Sequence, residues 1–187
     1  MPVPETDEEL VRRARAGDAE AFGGLIERHQ KTVASFLLSM FHDPDAAEDA
    51  AQEAFLKAFR GLGRFEGRSS FKTWVSRIAL NEARSRLRWA KLRSWLSLDA
   101  PRGDDDGSSW EERLRSARPG PAEDEELEKK LDLERAMAAL SPREREIAAL
   151  RLEGYSLGEI AQSLEVSEGT VKSTLFSATH KMRKRLS

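Results

Sequence analysis

LSPREREIAALRLEGYSLGEIAQSLEVSEGTVKSTLFSATHKMRKRL, residues 140–186, carries the punctuation of two helices joined by a tight turn. Ser156-Leu157-Gly158-Glu159 is a capping box, and Tyr155 and Ile160 stand where a hydrophobic staple fixes the entry of the chain. The first helix is expected to run to Leu164. Glu165-Val166-Ser167 then makes the turn, and a second helix starts near Glu168 with Ser167 as its cap. In that second helix Val171, Leu175, Ala178, Met182 and Leu186 recur as one apolar stripe. The other face carries Thr170, Ser173, Thr174 and Ser177, then Lys181 and Lys184. Hydroxyls near a helix N-terminus suit base edges and phosphates, and cations further along suit the phosphate backbone. The pattern is that of a helix-turn-helix with a candidate DNA-reading helix.

The 187 residues allow one large or two small domains. The chain has no cysteine, which excludes disulfides and thiolate metal sites and fits a reducing compartment. Residues 1–20 hold no basic segment followed by an apolar run, and no apolar stretch is long enough to span a bilayer, so a cytoplasmic location is expected. His29, His42 and His180 are scattered, giving no expected metal site, cofactor or catalytic histidine. No nucleophile–base set and no G-x-x-x-x-G-K-[ST] phosphate loop is present, so an enzyme is not expected.

A net charge of −2 looks unsuited to DNA until it is divided along the chain. Residues 1–60 carry −5, residues 61–95 carry +7, residues 96–135 carry −6 and residues 136–187 carry +2. Positive charge is thus gathered into one helix-sized segment and the extreme C-terminus. Such segregation suggests two nucleic-acid contacts on an otherwise acidic body.

Further upstream, Thr6-Asp7-Glu8-Glu9 reads as a capping box opening a short helix that Gly17 ends. Asp18 starts a second helix to about Phe41, with Phe22, Leu25, Ile26, Val33, Phe36, Leu37 and Met40 at core spacing; Gly23-Gly24 either weakens it or permits close packing. Asp43-Pro44 opens a third helix to about Arg60. Ala47, Ala51, Ala54, Phe55, Ala58 and Phe59 are expected inside it. Asp45, Glu48, Asp49, Gln52, Glu53 and Leu56 are expected outside, as a solvated acidic face or as a docking surface anchored by Leu56. A fourth helix begins at Ser69 or Ser70 and continues past Arg88. From Ser97 to about Asp124, prolines, glycines and acidic runs cannot support a core, and this segment reads as a linker. Helix resumes over Glu125–Ala139, and Ser141-Pro142-Arg143-Glu144 is another capping box.

The +7 segment joins a loop, Gly63-Arg64-Phe65-Glu66-Gly67-Arg68-Ser69-Ser70, to the fourth helix. Arg77, Asn81, Arg84, Arg88 and Lys91 form a polar, basic stripe at helical spacing beside an apolar one of Phe71, Trp74, Val75 and Ile78. Phe71, Val75 and Ile78 read as core, whereas Trp74 suits either the core or a stacked base. A basic stripe is often only a solvated face, but the charge segregation favours nucleic acid here, with the polar loop able to hold an unstacked base.

Taken in order, Ala46-Ala47-Glu48-Asp49-Ala50-Ala51-Gln52-Glu53-Ala54-Phe55, Arg64-Phe65-Glu66-Gly67, Phe71-Lys72-Thr73-Trp74-Val75-Ser76-Arg77-Ile78-Ala79-Leu80-Asn81, Leu140-Ser141-Pro142-Arg143-Glu144-Arg145 and Gly169-Thr170-Val171-Lys172-Ser173 resemble bacterial extracytoplasmic-function (ECF) sigma factors. The resemblance implies an all-α chain with a four-helix sigma region 2 over residues 1–96, an acidic linker over 97–124 and a helix-turn-helix region 4 over 125–187. It implies an RNA polymerase subunit that directs promoter-specific initiation without a cofactor. Asp49, Gln52, Glu53 and Leu56 would bind the clamp helices of the largest polymerase subunit. Arg64, Phe65, Arg68, Ser70, Lys72, Thr73, Trp74, Arg77, Asn81, Arg84 and Arg88 would open the −10 element and hold a flipped non-template base. Region 4 would sit on the flap of the second large subunit and read the −35 element with Ser167, Thr170, Lys172, Ser173, Thr174, Phe176, Ser177 and Lys181. An anti-sigma factor is a further implied partner.

The chain departs from the family's usual pattern at Ala50, where a leucine is common, and at Thr174, Ser177 and Thr179, where arginines are frequent. Asp104–Asp106, Glu111-Glu112 and Glu123–Glu126 would either mimic RNA charge in a basic channel or simply solubilise the linker. The alternative function is a polymerase-independent helix-turn-helix regulator with a helical sensor domain. Melting argues for a larger machine: separating strands forfeits about 1.4 kcal/mol per base-pair step, and flipping a base costs a few kcal/mol more.

Overall fold

Caps and apolar spacing together place the N-terminal helices. The structure, a computed structural model, describes residues 5–96, 132, 133 and 135–186. In α1 (Asp7–Arg15) the Thr6 hydroxyl accepts from the Glu9 amide at 3.3 Å. The expected box is only half made, because Glu9 turns to Arg12 and accepts from its Nε at 3.1 Å. A guanidinium one turn away offers charge as well as a donor, and it outcompetes the Thr6 amide. Gly17, at φ +98, reverses the chain into α2 (Ala19–Phe41), where Asp18 accepts from the Ala21 amide at 3.1 Å. Asp43 caps α3 (Pro44–Gly61), which continues through a 3-10 turn, Leu62–Arg64. The Ser70 hydroxyl then caps α4 (Phe71–Leu96) by accepting from the Thr73 amide at 3.1 Å.

These helices enclose one core, with α2 packed against α1, α3 and α4. Leu25, Leu37, Ala50, Ala54, Val75, Ala79 and Leu80 are wholly buried. Each large apolar side chain taken from water stabilises by about 1.5–3 kcal/mol. The alanines of α3 let it approach α2 closely, and Ala50 is wholly buried in that contact. Close packing does not account for Gly23-Gly24: a Cβ at Gly24 would meet Leu10 at 3.5 Å, an ordinary contact, and one at Gly23 would meet nothing within 4 Å. Phe59 departs from expectation. It is 51% exposed, with only its edge covered by the buried Phe22 ring, 5.0 Å away between centroids.

The rear helices follow the same logic. Residues 132, 133 and 135–138 are helical and precede α5 (Pro142–Leu152), α6 (Leu157–Leu164) and α7 (Glu168–Leu186). Ser141 and Ser156 each complete a capping box. Glu165 ends α6 at φ 56, and the Val166 amide reaches back to the Ala161 carbonyl at 3.0 Å. That geometry is a left-handed C-terminal cap, and it sets the turn between the two helices. Most of the expected helix from Glu125, the linker with its acidic runs and the Leu186 side chain lie outside the described residues. Among the described residues there is no strand, no group of residues suited to a metal ion and no helix long and apolar enough to cross a membrane.

Candidate nucleic-acid interface

The loop before α4 and α4 itself build the first candidate surface. Gly67, at φ +72, turns the loop so that Arg64, Arg68 and Ser70 face solvent. Beneath them Phe65 is buried, 4.8 Å from the Trp74 ring and 6.4 Å from Phe71 between centroids. Trp74 is half-buried in this aromatic cluster and also covers Gly61, so it belongs largely to the core. A cavity of about 630 Å³ opens between the loop and α1, with Phe65, Ser70 and Phe71 inside and Arg12, Arg15 and Arg68 interleaved with Asp7, Glu8 and Glu66 around it; Arg68 pairs with Glu66. Further along α4, Asn81 and Arg88 are exposed.

The other members of the stripe meet the rear unit. Arg84 donates from Nε and Nη2 to both carboxylate oxygens of Glu146 on α5, at 2.7 and 2.8 Å. Glu146 is buried and also receives Arg143 at 3.1 Å; the bond to Glu146 raises the Arg84 pKa. Arg77 lies 3.2 Å from Glu165. Thr73 and Ser76, beside them on α4, are buried. Ser76 donates its only hydroxyl proton to the Lys72 carbonyl at 2.8 Å, so the Tyr155 phenol, 2.5 Å away, donates to Ser76 Oγ. Lys72 completes the contact, with Nζ 3.8 Å from the centroid of the Tyr155 ring. Burial pushes the Tyr155 phenol up to about 12. Sequence reasoning gave Tyr155 a local staple role and missed this one. The available signal was a phenol at a position destined for burial, since a buried tyrosine hydroxyl needs a partner.

The second candidate surface is the leading end of α7. Ser167 caps it by accepting from the Thr170 amide at 3.1 Å, and Ser167, Thr170, Lys172 and Ser173 are exposed. Phe176 is 79% exposed. Thr174 is half-buried and donates to the Thr170 carbonyl at 2.8 Å. Ser177 and Lys181 are directed elsewhere: they donate to Glu144 of α5 at 2.6 and 2.7 Å. These bonds, led by Lys181, hold the Glu144 carboxyl down to about 2, and the Ser141 hydroxyl and amide complete its shell. Ser177 and Lys181 are thereby drawn toward α5 and away from the exposed set of Ser167, Thr170, Lys172, Ser173 and Phe176.

The third candidate surface lies on α3. Asp49, Gln52 and Leu56 are exposed, Leu56 by 49%, while Glu53 is half-buried and lies 3.8 Å from Lys57. Leu56 borders a groove of about 850 Å³ between α2 and α3, with Ile26, Leu38, Ala51 and Phe55 on its walls and Glu48 and Gln52 on its rim.

Residues 25–93 match Sigma-70 region 2, and residues 130–182 match Sigma-70, region 4. The chain is 33% identical over 187 residues to the RNA polymerase sigma-H factor of Pseudomonas aeruginosa, across 100% of this chain and 96% of that one. It is 37% identical over 175 residues to the ECF RNA polymerase sigma-E factor of Escherichia coli K12, across 92% and 90% of the two chains. In fold it is similar to CnrH in complex with the cytosolic domain of CnrY, with a TM-score of 0.71 at 23% identity over 97% of each chain. It is also similar to the sigma factor RpoE in complex with the anti-sigma factor NepR from Bartonella quintana, with a TM-score of 0.66 at 23% identity over 90% and 98% of the two chains. The reading as a polymerase-independent regulator gives way to these relationships. With a region 2 helical unit in front and a region 4 helix-turn-helix behind, the chain belongs to the ECF RNA polymerase sigma factors, DNA-binding subunits of transcription initiation.

Proposed function

We propose that this sigma factor selects two-element promoters, reading the upstream element as duplex and the downstream element as separated strands. Region 2 is taken as residues 1–96, the linker as 97–124 and region 4 as 125–187. The observation that carries the reading is the cavity under the Arg64–Ser70 loop. Its aromatic floor of Phe65 and Phe71 suits one unstacked base, and Arg12, Arg15 and Arg68 stand at its rim for the flanking phosphates, among the carboxylates Asp7, Glu8 and Glu66. Asn81 and Arg88 extend that rim along α4, and Lys72, Thr73, Trp74, Arg77 and Arg84 complete the −10 surface. On α7, Ser167, Thr170, Lys172, Ser173, Thr174 and Phe176 are the −35 set supported by exposure or position. Ser177 and Lys181 join it only if Glu144 releases them.

Core polymerase supplies the free energy that seven net positive charges on residues 61–95 cannot. Its clamp helices dock on Asp49, Gln52, Glu53 and Leu56, beside the apolar α2–α3 groove, and its flap carries region 4. The site of action is the cytoplasm. An anti-sigma protein is a further proposed partner, supported by the two complexes that the fold resembles.

The test replaces Arg64, Arg68, Asn81 and Arg88, all exposed, by alanine. Permanganate footprinting of holoenzyme on a cognate promoter should show opening reduced by about 100-fold, at about 1 kcal/mol or slightly less per contact. Undiminished opening overturns the reading.

A further inference from the structure

We infer that Glu144 is a positioning residue for the −35 reading helix: it sets the roll of α7 about its own axis, and Ser177 and Lys181 serve the reading through it rather than by touching DNA. The inference rests on the −35 reading of α7 and adds what aims that helix.

Glu144 is a buried carboxylate in the first turn of α5, and it meets α7 twice. Its Oε1 accepts from the Ser177 hydroxyl at 2.6 Å, and its Oε2 accepts from Lys181 Nζ, one turn further on, at 2.7 Å. The carboxylate is itself fixed. Its Oε2 also accepts from the Ser141 amide and hydroxyl, at 2.9 and 2.8 Å, which ties it to the start of α5. The same turn reaches α6, where Arg143 Nη2 donates to the Leu164 carbonyl at 3.4 Å. Both members of the helix-turn-helix are thus braced from one turn of a third helix.

Apolar packing alone leaves the roll of α7 loosely defined. Of its described residues, Val171 and Ala178 are wholly buried, and Leu175 and Met182 are partly covered beside them. Burial of so thin a stripe is non-directional, whereas hydrogen bonds to a charged group are short and directional. A side-chain tip lies about 6 Å from a helix axis, so a roll of about 20° carries it about 2 Å sideways. Reading contacts tolerate only about 0.5 Å. Ser173 and Phe176 lie within about one turn of Ser177, so a carboxylate that fixes position 177 also fixes their aim.

The test uses holoenzyme assembled with the full chain and a promoter that the parent holoenzyme selects from genomic fragments. Binding is measured to duplexes with the native or a scrambled −35 element, across a salt series. Glu144→Gln keeps the side-chain shape and gives up the charge that holds Lys181. It should lower the native-to-scrambled affinity ratio by about tenfold, the discrimination carried by one base pair, and leave the salt slope unchanged. Lys181→Met should lower the ratio as far. The double variant should be no worse than either single one, because all three remove the same bond. Loss of folded region 4 would weaken both duplexes alike, so the ratio separates aiming from stability.

A ratio unchanged in either single variant overturns the proposal. Tighter binding with a steeper salt slope in Glu144→Gln also overturns it, since Glu144 would then only withhold Lys181 from phosphates. A slope lowered by about one in Lys181→Met does the same, by making that lysine a direct contact. Should Glu144→Gln lose its helical circular dichroism, Lys181→Met decides by the same criteria, because Glu144 then keeps Ser141 and Ser177. A parent holoenzyme that binds both duplexes equally overturns the −35 reading and this inference together. A discriminating parent whose variants discriminate equally well overturns this inference alone.

Discussion

The leading ends of α4 and α7 carry the same chemistry and meet opposite fates. Both present hydroxyls beside cations just after a serine cap, yet Thr73 and Ser76 are buried while Thr170, Lys172 and Ser173 face solvent. The difference follows the state of the proposed ligands. Duplex exists before polymerase arrives, and a surface that reads it must be presented in advance. Separated strands exist only after melting, so a surface for them has no ligand to meet until then.

Removing a large side chain from the region 2 core would break this comparison most forcefully. Phe36→Ala should destabilise that region by about 3–5 kcal/mol. Urea unfolding followed separately by labels in each region should show the region 4 transition shifted less than that of region 2, because α2 meets the rear unit through only a few apolar side chains, Leu38 against Met137, Ala149 and Leu152, beside the ion pairs. A single merged transition would mean that the two surfaces are not independently governed.

Tyr155 sharpens the contrast from the covered side. It is the only tyrosine in the chain, so tyrosinate absorbance reports it alone. Burial holds its phenol up to about 12 from an ordinary 10.0. The packing of Tyr155 against α4 is therefore fully supported below pH 10 and loses that support as the pH rises toward 12. A spectrophotometric titration should find the midpoint near 12 in the parent chain. It should move toward 10 in Glu146→Gln, Glu165→Asn, which loses the ion pairs to Arg84 and Arg77 beside Tyr155.

Glu144 probes the open side. Its carboxyl is held down to about 2 from 4.5, so its contribution is complete above pH 4.5 and fades as the pH falls toward 2. Glu144→Gln should cost region 4 about 1–2 kcal/mol at neutral pH, a figure held down by the exposure of Lys181, and should remove that acid-dependent loss. Chemical denaturation at stepped pH measures both. Lys172→Ala should produce the mildest change. It should weaken duplex binding by about 1 kcal/mol and lower the salt slope by about one, with strand opening after polymerase recruitment unaltered.

Much of the fold was legible because its signals are local. Ser141 and Ser156 with their glutamates, Asp18, and Asp43 with Pro44 each set a helix start within four residues of sequence. The availability of the sites was not legible, because it depends on residues far apart. Ser76 and Tyr155 are 79 positions apart, and Arg84 and Glu146 are 62 apart. Ser177 and Lys181 share a helical face with Thr170 by spacing, but α5 covers the later turns of that face through Glu144. Phe59 shows the same limit: its spacing is that of the core, yet only its edge finds cover, against Phe22.

Glu165 closes α6 at φ 56 and also reaches Arg77. Glycine or asparagine would take that backbone more easily, so a glutamate accepts some local strain there. The residue serves as pivot and anchor together: the pitch at which α7 leaves the turn and the grip on the neighbouring unit pass through one Cα. Glycine at this place would keep the bend and lose the lever.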